Sequence, residues 1–144
     1  METANAVLNE LLERADRDND RWINGDASNY AFPDDGTILG AVGGYSHGGA
    51  ATSARQSAAA AHWLRGSGDI EFLNGGVSGD LAWLTFIARS RVVLTGTEAE
   101  RRWDLRVTEV FRRNGDLWER IHRHADPLVD FRSVSAAADL LTAQ

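Results

Sequence analysis

The amino-acid sequence predicts an α+β fold in which helices cover one face of a long antiparallel sheet. Helical periodicity occurs twice in the N-terminal half, at residues 3–20 and 49–65. The C-terminal half instead carries strand-forming runs joined by short turns, and its longest feature is a hairpin at residues 103–126. A long sheet with helices on one face only is typical of α+β proteins. If the sheet is strongly curved, it wraps around the helices and leaves a pocket between them.

Length and composition indicate one domain of ordinary globular type. A chain of 144 residues buries roughly two-thirds of its unfolded surface. The net charge of −6, with acids spread along the chain, argues against nucleic acid as a partner, and the absence of cysteine excludes disulfides and thiolate chemistry. No apolar run is long enough to span a membrane, and the N-terminus has no signal-peptide pattern. We therefore expect a cytoplasmic protein without a membrane partner.

The first helix is predicted by a stripe of apolar side chains at residues 3–20. A run of aspartates at its C-terminal end opposes the helix dipole, so the helix should end there. Gly25 then breaks the chain, and Asp26 can cap a short helix that continues to Tyr30.

A strand and a second helix follow. Residues 37–39 form a short strand, and residues 40–50 form a loop with five glycines in eleven positions. The spacing of these glycines does not match a nucleotide-binding motif, so we interpret them as positions where the absence of a side chain leaves space beside the backbone. The alanine-rich residues 49–65 form a helix that can lie close against a sheet, with Gly66 as its C-terminal stop.

The remaining chain predicts the sheet and a tail. Strands at residues 70–77 and 81–94 lead into the hairpin, with turns at SGD and TGTE. The domain is expected to occupy residues 1–132, and residues 133–144 form a C-terminal tail that is either helical or mobile.

The register of the hairpin follows from Asn114-Gly115, a dipeptide that favours a two-residue type I′ turn. This turn places Phe111 opposite Trp118 on one face, where Glu109 and Arg120 can also pair. A three-residue loop with a bulge would instead shift the register by one residue and re-sort both faces.

On the other face the same register places Arg106 opposite Arg123. Like charges in that position are destabilising unless something anionic or water lies between them. Two interpretations stay open. Either the two guanidinium groups bind an anion, or Asp104, Glu119 or a backbone carbonyl satisfies them.

The order NGD…Y, then GG…HG before an alanine-rich helix, then GDLAWL, then LRVTEVFRR-NG-x-x-W-x-x-x-HRHAD resembles the SnoaL-like branch of the nuclear transport factor 2-like superfamily. The resemblance covers most of the chain. It implies a cone-shaped, curved antiparallel sheet wrapped around the N-terminal helices and a homodimer joined through the convex faces. The superfamily includes ketosteroid isomerases, polyketide cyclases, dehydratases, kinase association domains and members without known activity, so the fold does not settle the function.

The resemblance also implies roles for single residues. Gly40 stands where the isomerases have their general-base aspartate, and Tyr30 loosely matches a pocket tyrosine. The last two strands would line the pocket through four side chains: Arg106, Thr108, Ile121 and Arg123. The opposite face would then meet the dimer partner through five: Trp103, Phe111, Trp118, His122 and His124.

Tryptophan and histidine residues carry further alternatives. Trp22, Trp63 and Trp83 are expected in the core, with a pocket wall as a second use. A structural interface role is preferred for His122 and His124 over catalysis or metal binding, because no carboxylate cluster accompanies them.

Two functions from different classes remain. The first is a small-molecule-binding domain with an apolar pocket for an aromatic or polycyclic carboxylate. The second is an acid–base enzyme of the cyclase, isomerase or dehydratase type. No catalytic residue is identified from the sequence, and neither a cofactor nor a metal is expected.

Overall fold

The computed structural model describes residues 2–142. Within this range the chain forms three helices, namely α1 (Ala4–Trp22), α2 (Gly49–Ala60) and α3 (Val134–Thr142). It also forms seven strands, namely β1 (Thr37–Leu39), β2 (Ser46–His47), β3 (Trp63–Ser78), β4 (Leu81–Leu94), β5 (Glu100–Arg102), β6 (Leu105–Asn114) and β7 (Leu117–Pro127). The strand order is β2-β1-β7-β6-β4-β3, and β5 pairs with the end of β4 that β6 leaves free.

The predicted α+β class is confirmed, and the sheet is curved and unclosed. It is mixed rather than wholly antiparallel. Strand β1 runs parallel to β7, with Ile38 beside Arg123, whereas the other strand pairs are antiparallel. None of the described helices is both long enough and apolar enough to cross a membrane.

Helix α1 confirms the first helical pattern. Thr3 caps it by accepting a hydrogen bond from the Ala6 amide at 3.1 Å. The buried residues Val7, Leu11 and Ala15 recur every four positions and therefore lie on one face, which packs against the inward-facing residues of β4.

The second helix is shorter than predicted, and the prediction of Gly66 as its stop is wrong. Helix α2 ends at Ala60, and β3 already begins at Trp63. Gly66 lies inside β3, and glycine suits this position because a Cβ there would come within 2.9 Å of the Ile23 carbonyl oxygen. The short helix predicted from Asp26 is also absent from the described chain, where the Asp26 carboxylate accepts the Ser28 amide in a turn.

The predicted hairpin register is wrong by two positions. Asn114 pairs with Leu117, so the loop is Gly115-Asp116, and Phe111 lies opposite Arg120 rather than Trp118. Gly115 has a φ of +62°, and no non-glycine residue of the described chain has a positive φ. A single glycine at the first loop position meets the requirement of a type II′ turn, whereas a type I′ turn needs two residues with positive φ.

A bulge at Ile121 then changes which side chains of β7 share a face with β6. Beyond it, Val110 pairs with His122 and Glu109 with Arg123. The extra residue reverses the alternation of the strand, as a bulge does. The inner face of the hairpin consequently carries eight buried side chains: Leu105, Val107, Glu109, Phe111, Trp118, Arg120, Arg123 and Ala125.

Two apolar clusters fill the inside of the curved sheet. The first joins α1 to strands β4, β6 and β7. The second lies at the end of α1 and includes Trp22, Tyr30, Ile38, Trp63 and Val92. Trp103 packs against both clusters and connects them.

Candidate functional site

A cavity of about 550 Å³ opens at the second apolar cluster, where α1 and α2 end and β3 begins. We call it the tryptophan cavity. Its lining comes from the end of α1, the glycine loop, α2, and strands β3 to β5: Trp22, Val42, Arg55, Ala58, Ala59, His62, Trp63, Val92, Leu94, Arg101, Arg102 and Trp103.

Three indole rings form one wall of this cavity. The ring centroids of Trp22 and Trp63 are 5.6 Å apart, those of Trp63 and Trp103 are 5.0 Å apart, and both pairs of planes are steeply inclined or edge-to-face. The Trp22 indole donates to the Gln56 carbonyl at 3.1 Å. The indole nitrogens of Trp63 and Trp103 are buried without a hydrogen-bond partner among the described residues. Buried indole N–H groups usually find a partner, so two unused donors beside a cavity are unusual.

The rim of the cavity is cationic. Arg55 projects from α2, His62 follows that helix, and Arg101 and Arg102 come from β5. Arg102 binds the Asp104 carboxylate through two nitrogens, at 2.9 Å and 2.6 Å. None of the residues that line the cavity is acidic.

A smaller chamber of about 40 Å³ adjoins the tryptophan cavity. The two share five lining residues, namely Trp22, Val42, Arg55, Ala59 and Trp103. The chamber continues past Gly40 and Gly43 of the glycine loop to Arg123. Gly43 has a φ of +94°, so the loop follows a path that a side chain would strain. The predicted space-yielding loop thus forms part of the wall between the chamber and solvent.

A network of buried charges lies behind the smaller chamber. Arg120 is fully buried, and its Nη2 atom donates to Asp18 at 2.9 Å. Its Nε atom lies 2.8 Å from Glu109 Oε2 without the alignment of a hydrogen bond. Arg123 donates to the same carboxylate at 3.1 Å. Two carboxylates therefore face two buried guanidinium groups, and the partly exposed Arg14 lies 3.7 Å from Asp18 on the side of α1.

The Tyr30 ring covers this network. The Arg120 guanidinium lies 4.6 Å from its centroid, and that of Arg123 lies 5.5 Å away. Burial raises the pKa of the Tyr30 phenol, which keeps it protonated. Burial alone would raise the pKa of Glu109, but the guanidinium groups of Arg120 and Arg123 outweigh it, so this pKa lies below its ordinary value.

Of the predicted pocket residues, the structure brings Trp22 and Trp63 together in the tryptophan cavity. Tyr30 lies behind it, buried against the charge network. The prediction that Trp83 lies in the core is wrong. This side chain lies on the outer face of β4, with 39% of its surface exposed, and packs over Gly76. Trp103 lines the cavity, so its predicted position on an outer face is wrong.

The predicted opposition of Arg106 and Arg123 is wrong, because the bulge at Ile121 sends the two side chains to opposite faces. Arg106 and Thr108 lie on the outer face, where Arg106 pairs with Asp126 at 3.1 Å. Arg123 points inward and pairs with Glu109. Both arginines therefore have carboxylate partners within the chain, but none of those named from the sequence, Asp104, Glu119 or a backbone carbonyl, is the partner in these two ion pairs.

The histidines share the outer face, as predicted, but Phe111 and Trp118 do not. Both aromatic residues are buried in the first apolar cluster. His122 Nδ1 lies 2.7 Å from the Thr37 hydroxyl, and His124 lies 3.3 Å from Asp126. Burial and the nearby His124 lower the pKa of His122. In the described part of the chain, no three His, Asp or Glu side chains converge as metal ligands.

Sequence reasoning missed the cationic rim, which consists of Arg55, His62, Arg101 and Arg102. A signal was present for the first of these, because Arg55 is a lone cation within an alanine-rich helix. For β5 no signal was available, since the ERR sequence of that strand has no alternation and resembles any solvated turn.

Comparisons with known proteins identify the fold. No family model matches the chain, and no curated protein matches it. The structure of a nuclear transport factor 2-like superfamily protein from Salmonella enterica serovar Typhimurium aligns with a TM-score of 0.74 at 13% identity, covering 90% of this chain and 96% of the other.

Two further solved structures carry functional names. A proposed dehydratase of the same family from Streptomyces avermitilis aligns with a TM-score of 0.72 at 15% identity, over 89% of this chain and 100% of that one. A proposed calcium/calmodulin-dependent protein kinase type II association domain from Thiobacillus denitrificans aligns with a TM-score of 0.63 at 20% identity, over 83% and 94%. At these identities the comparisons establish architecture rather than activity. The chain therefore has the nuclear transport factor 2-like fold.

Proposed function

We propose that this protein binds a small, flat, largely apolar molecule in the tryptophan cavity. The observation that carries the proposal is the wall of three indole rings, Trp22, Trp63 and Trp103, beside about 550 Å³ of space. Cavities of roughly 300–1,000 Å³ that combine aromatic walls with a few polar groups are the usual form of small-molecule sites. An aromatic ligand would extend the edge-to-face and offset stacking that the three rings already make with one another.

Ligand binding fits the site better than acid–base catalysis. Isomerase or dehydratase chemistry needs a positioned base or acid beside the substrate. None of the cavity-lining residues is a carboxylate, and Asp18 and Glu109 are both occupied by Arg120. His62 is the one imidazole among the lining residues, so an enzymatic version of the proposal would depend on it.

Titration with 2-naphthoate and the neutral 2-naphthamide, followed by tryptophan fluorescence and calorimetry, tests the proposal. We expect at least one of the two compounds to bind and to quench the emission. Trp63→Leu should weaken that binding, whereas Trp83→Phe removes an indole from the outer face and should leave it unchanged. The proposal fails if neither compound binds, or if the Trp83 variant loses binding as much as the Trp63 variant does.

A further inference from the structure

We propose that the ligand is an aromatic acid, bound with its rings between the tryptophans and its anionic group outward, between Arg55 and Arg101. This inference rests on the proposed function and adds the chemical class and the orientation of the ligand. It depends on how positive charge is distributed around the cavity.

Arg55 and Arg101 are cations without carboxylate partners. Both side chains are exposed, both line the tryptophan cavity, and neither makes an ion pair within residues 2–142. They come from different elements, α2 and β5, so the cavity rim carries two independent guanidinium groups. Both are therefore available to an anion, although the chain as a whole has 21 acidic residues and a net charge of −6.

Two neighbouring arginines, Arg102 and Arg123, do have carboxylate partners, and this contrast indicates where the acidic group of the ligand binds. Arg102 is held by Asp104 at 2.6 Å, and Arg123 at the end of the smaller chamber is held by Glu109 at 3.1 Å. A ligand carboxylate near Arg123 would also approach the buried Glu109 carboxylate and be repelled by it. At the rim no lining carboxylate competes for Arg55 or Arg101.

Desolvation favours the same orientation. A carboxylate that remains at the exposed rim keeps much of its hydration, whereas one placed among the indole rings would lose it. A guanidinium fork binds a carboxylate through two nearly parallel hydrogen bonds, which a neutral amide cannot match. The ring system therefore belongs inside the cavity and the anion outside it.

Arg55 lies beside the glycine loop. A guanidinium nitrogen of Arg55 is 3.9 Å from the position that a Cβ on Gly44 would occupy, which is an ordinary van der Waals distance. Gly44 itself has a φ of +65°, so the loop takes a path there that favours glycine.

The test compares 2-naphthoate with 2-naphthamide by calorimetry, because the two differ in charge and share the same rings. For the unaltered protein we expect the acid to bind at least about tenfold more tightly, and this preference should shrink as salt is added. Arg55→Gln and Arg101→Gln should each reduce affinity for the acid by about five- to tenfold and leave affinity for the amide unchanged.

Arg65→Gln is the matched control. Arg65 is an exposed arginine on β3, two residues from Trp63, and it is not among the cavity-lining residues. Its substitution removes the same charge from the same end of the molecule and should leave the preference for the acid intact.

The outcomes separate the two proposals. Equal affinities for acid and amide would overturn the orientation and leave the aromatic site standing. A preference that survives in the Arg55→Gln/Arg101→Gln double variant, or that Arg65→Gln reduces equally, would also overturn the inference. Failure of both compounds to bind would overturn the proposed function itself.

Discussion

Glu109→Gln is the substitution that most directly tests the buried charge network. The Glu109 carboxylate is fully buried and contacts Arg120 at 2.8 Å and Arg123 at 3.1 Å. Glutamine keeps the size of the side chain and removes its charge. Arg120 then retains Asp18, but Arg123 loses its carboxylate partner in a buried setting.

The expected loss of stability is large. Removing one partner from a buried ion pair costs about 3–5 kcal/mol, because the remaining charge is left uncompensated. A domain of this size has a total stability of about 5–15 kcal/mol, so the loss is a substantial fraction of it. At about 2–4 °C for each kcal/mol, the melting temperature should fall by roughly 6–20 °C.

Urea unfolding followed by circular dichroism measures this change, with Glu119→Gln as control. Glu119 lies on β7, the other strand of the same hairpin, is only partly buried, and makes no ion pair in the described chain. Its substitution should change stability by no more than about 0.5 kcal/mol. If Glu109→Gln is equally mild, the network does not hold the hairpin and the reasoning is refuted.

The pH dependence gives an independent check. The folded-state pKa of Glu109 lies below its ordinary value of 4.5, so its contribution is fully present above that value. The contribution is lost as the pH falls from that value through the depressed folded-state pKa. Glu109→Gln should therefore show a shallower decline in stability than the unaltered protein below about pH 4.5. If the stability of the two proteins declines equally in acid, Glu109 is not the ionised group that the structure indicates.

Three further predictions concern the outer face and β3. We expect two copies to associate through the outer face of the sheet, where Trp83 is exposed. Trp83→Asp should therefore convert the dimer to a monomer in light scattering, because a charge would be buried without a partner, whereas Trp83→Phe should leave the dimer intact. If His122 and His124 lie in that interface, dimer affinity should be highest above about pH 6.5 and should fall as the pH drops through the lowered pKa of His122. An affinity that does not change with acidification would show that the two histidines lie outside the interface. Gly68→Ala should destabilise the fold by about 1–3 kcal/mol in urea unfolding, because a Cβ there would clash with the Arg89 carbonyl oxygen and lie 2.7 Å from the Ser90 hydroxyl oxygen. An unchanged unfolding midpoint would show that β3 and β4 can move apart enough to accept the methyl group.

Local patterns were sufficient for the elements whose burial repeats along one segment. The four-residue spacing of Val7, Leu11 and Ala15 predicted α1, and the run from Leu81 to Leu94 predicted β4 with its observed bounds. The hairpin register was beyond such patterns. A bulge at Ile121 reverses the alternation of β7, and the buried side chains beside it pair with distant segments, as Arg120 does with Asp18.

From the sequence, site residues could be predicted only where the residue type is rare in proteins. Trp22 and Trp63 attract attention in any sequence, and the structure places both beside the cavity. Arg55 and Arg101 do not, because every one of the 15 cationic side chains is an arginine and most of them are solvated or paired. What distinguishes these two is that they line the cavity and have no carboxylate partner in the described chain, a combination that only the tertiary structure shows.

The bulge also explains why the anionic group of a ligand would bind at the rim of the cavity and not beside Arg123. By turning Arg123 inward, it supplies Glu109 with a second guanidinium group. Without that inward turn, Glu109 would face Arg120 alone, and Arg123 would lie on the outer face. Because Arg123 is paired with Glu109, it is not free to bind an incoming anion at the end of the smaller chamber. Selectivity for charge is therefore left to Arg55 and Arg101, and the tryptophans select for shape.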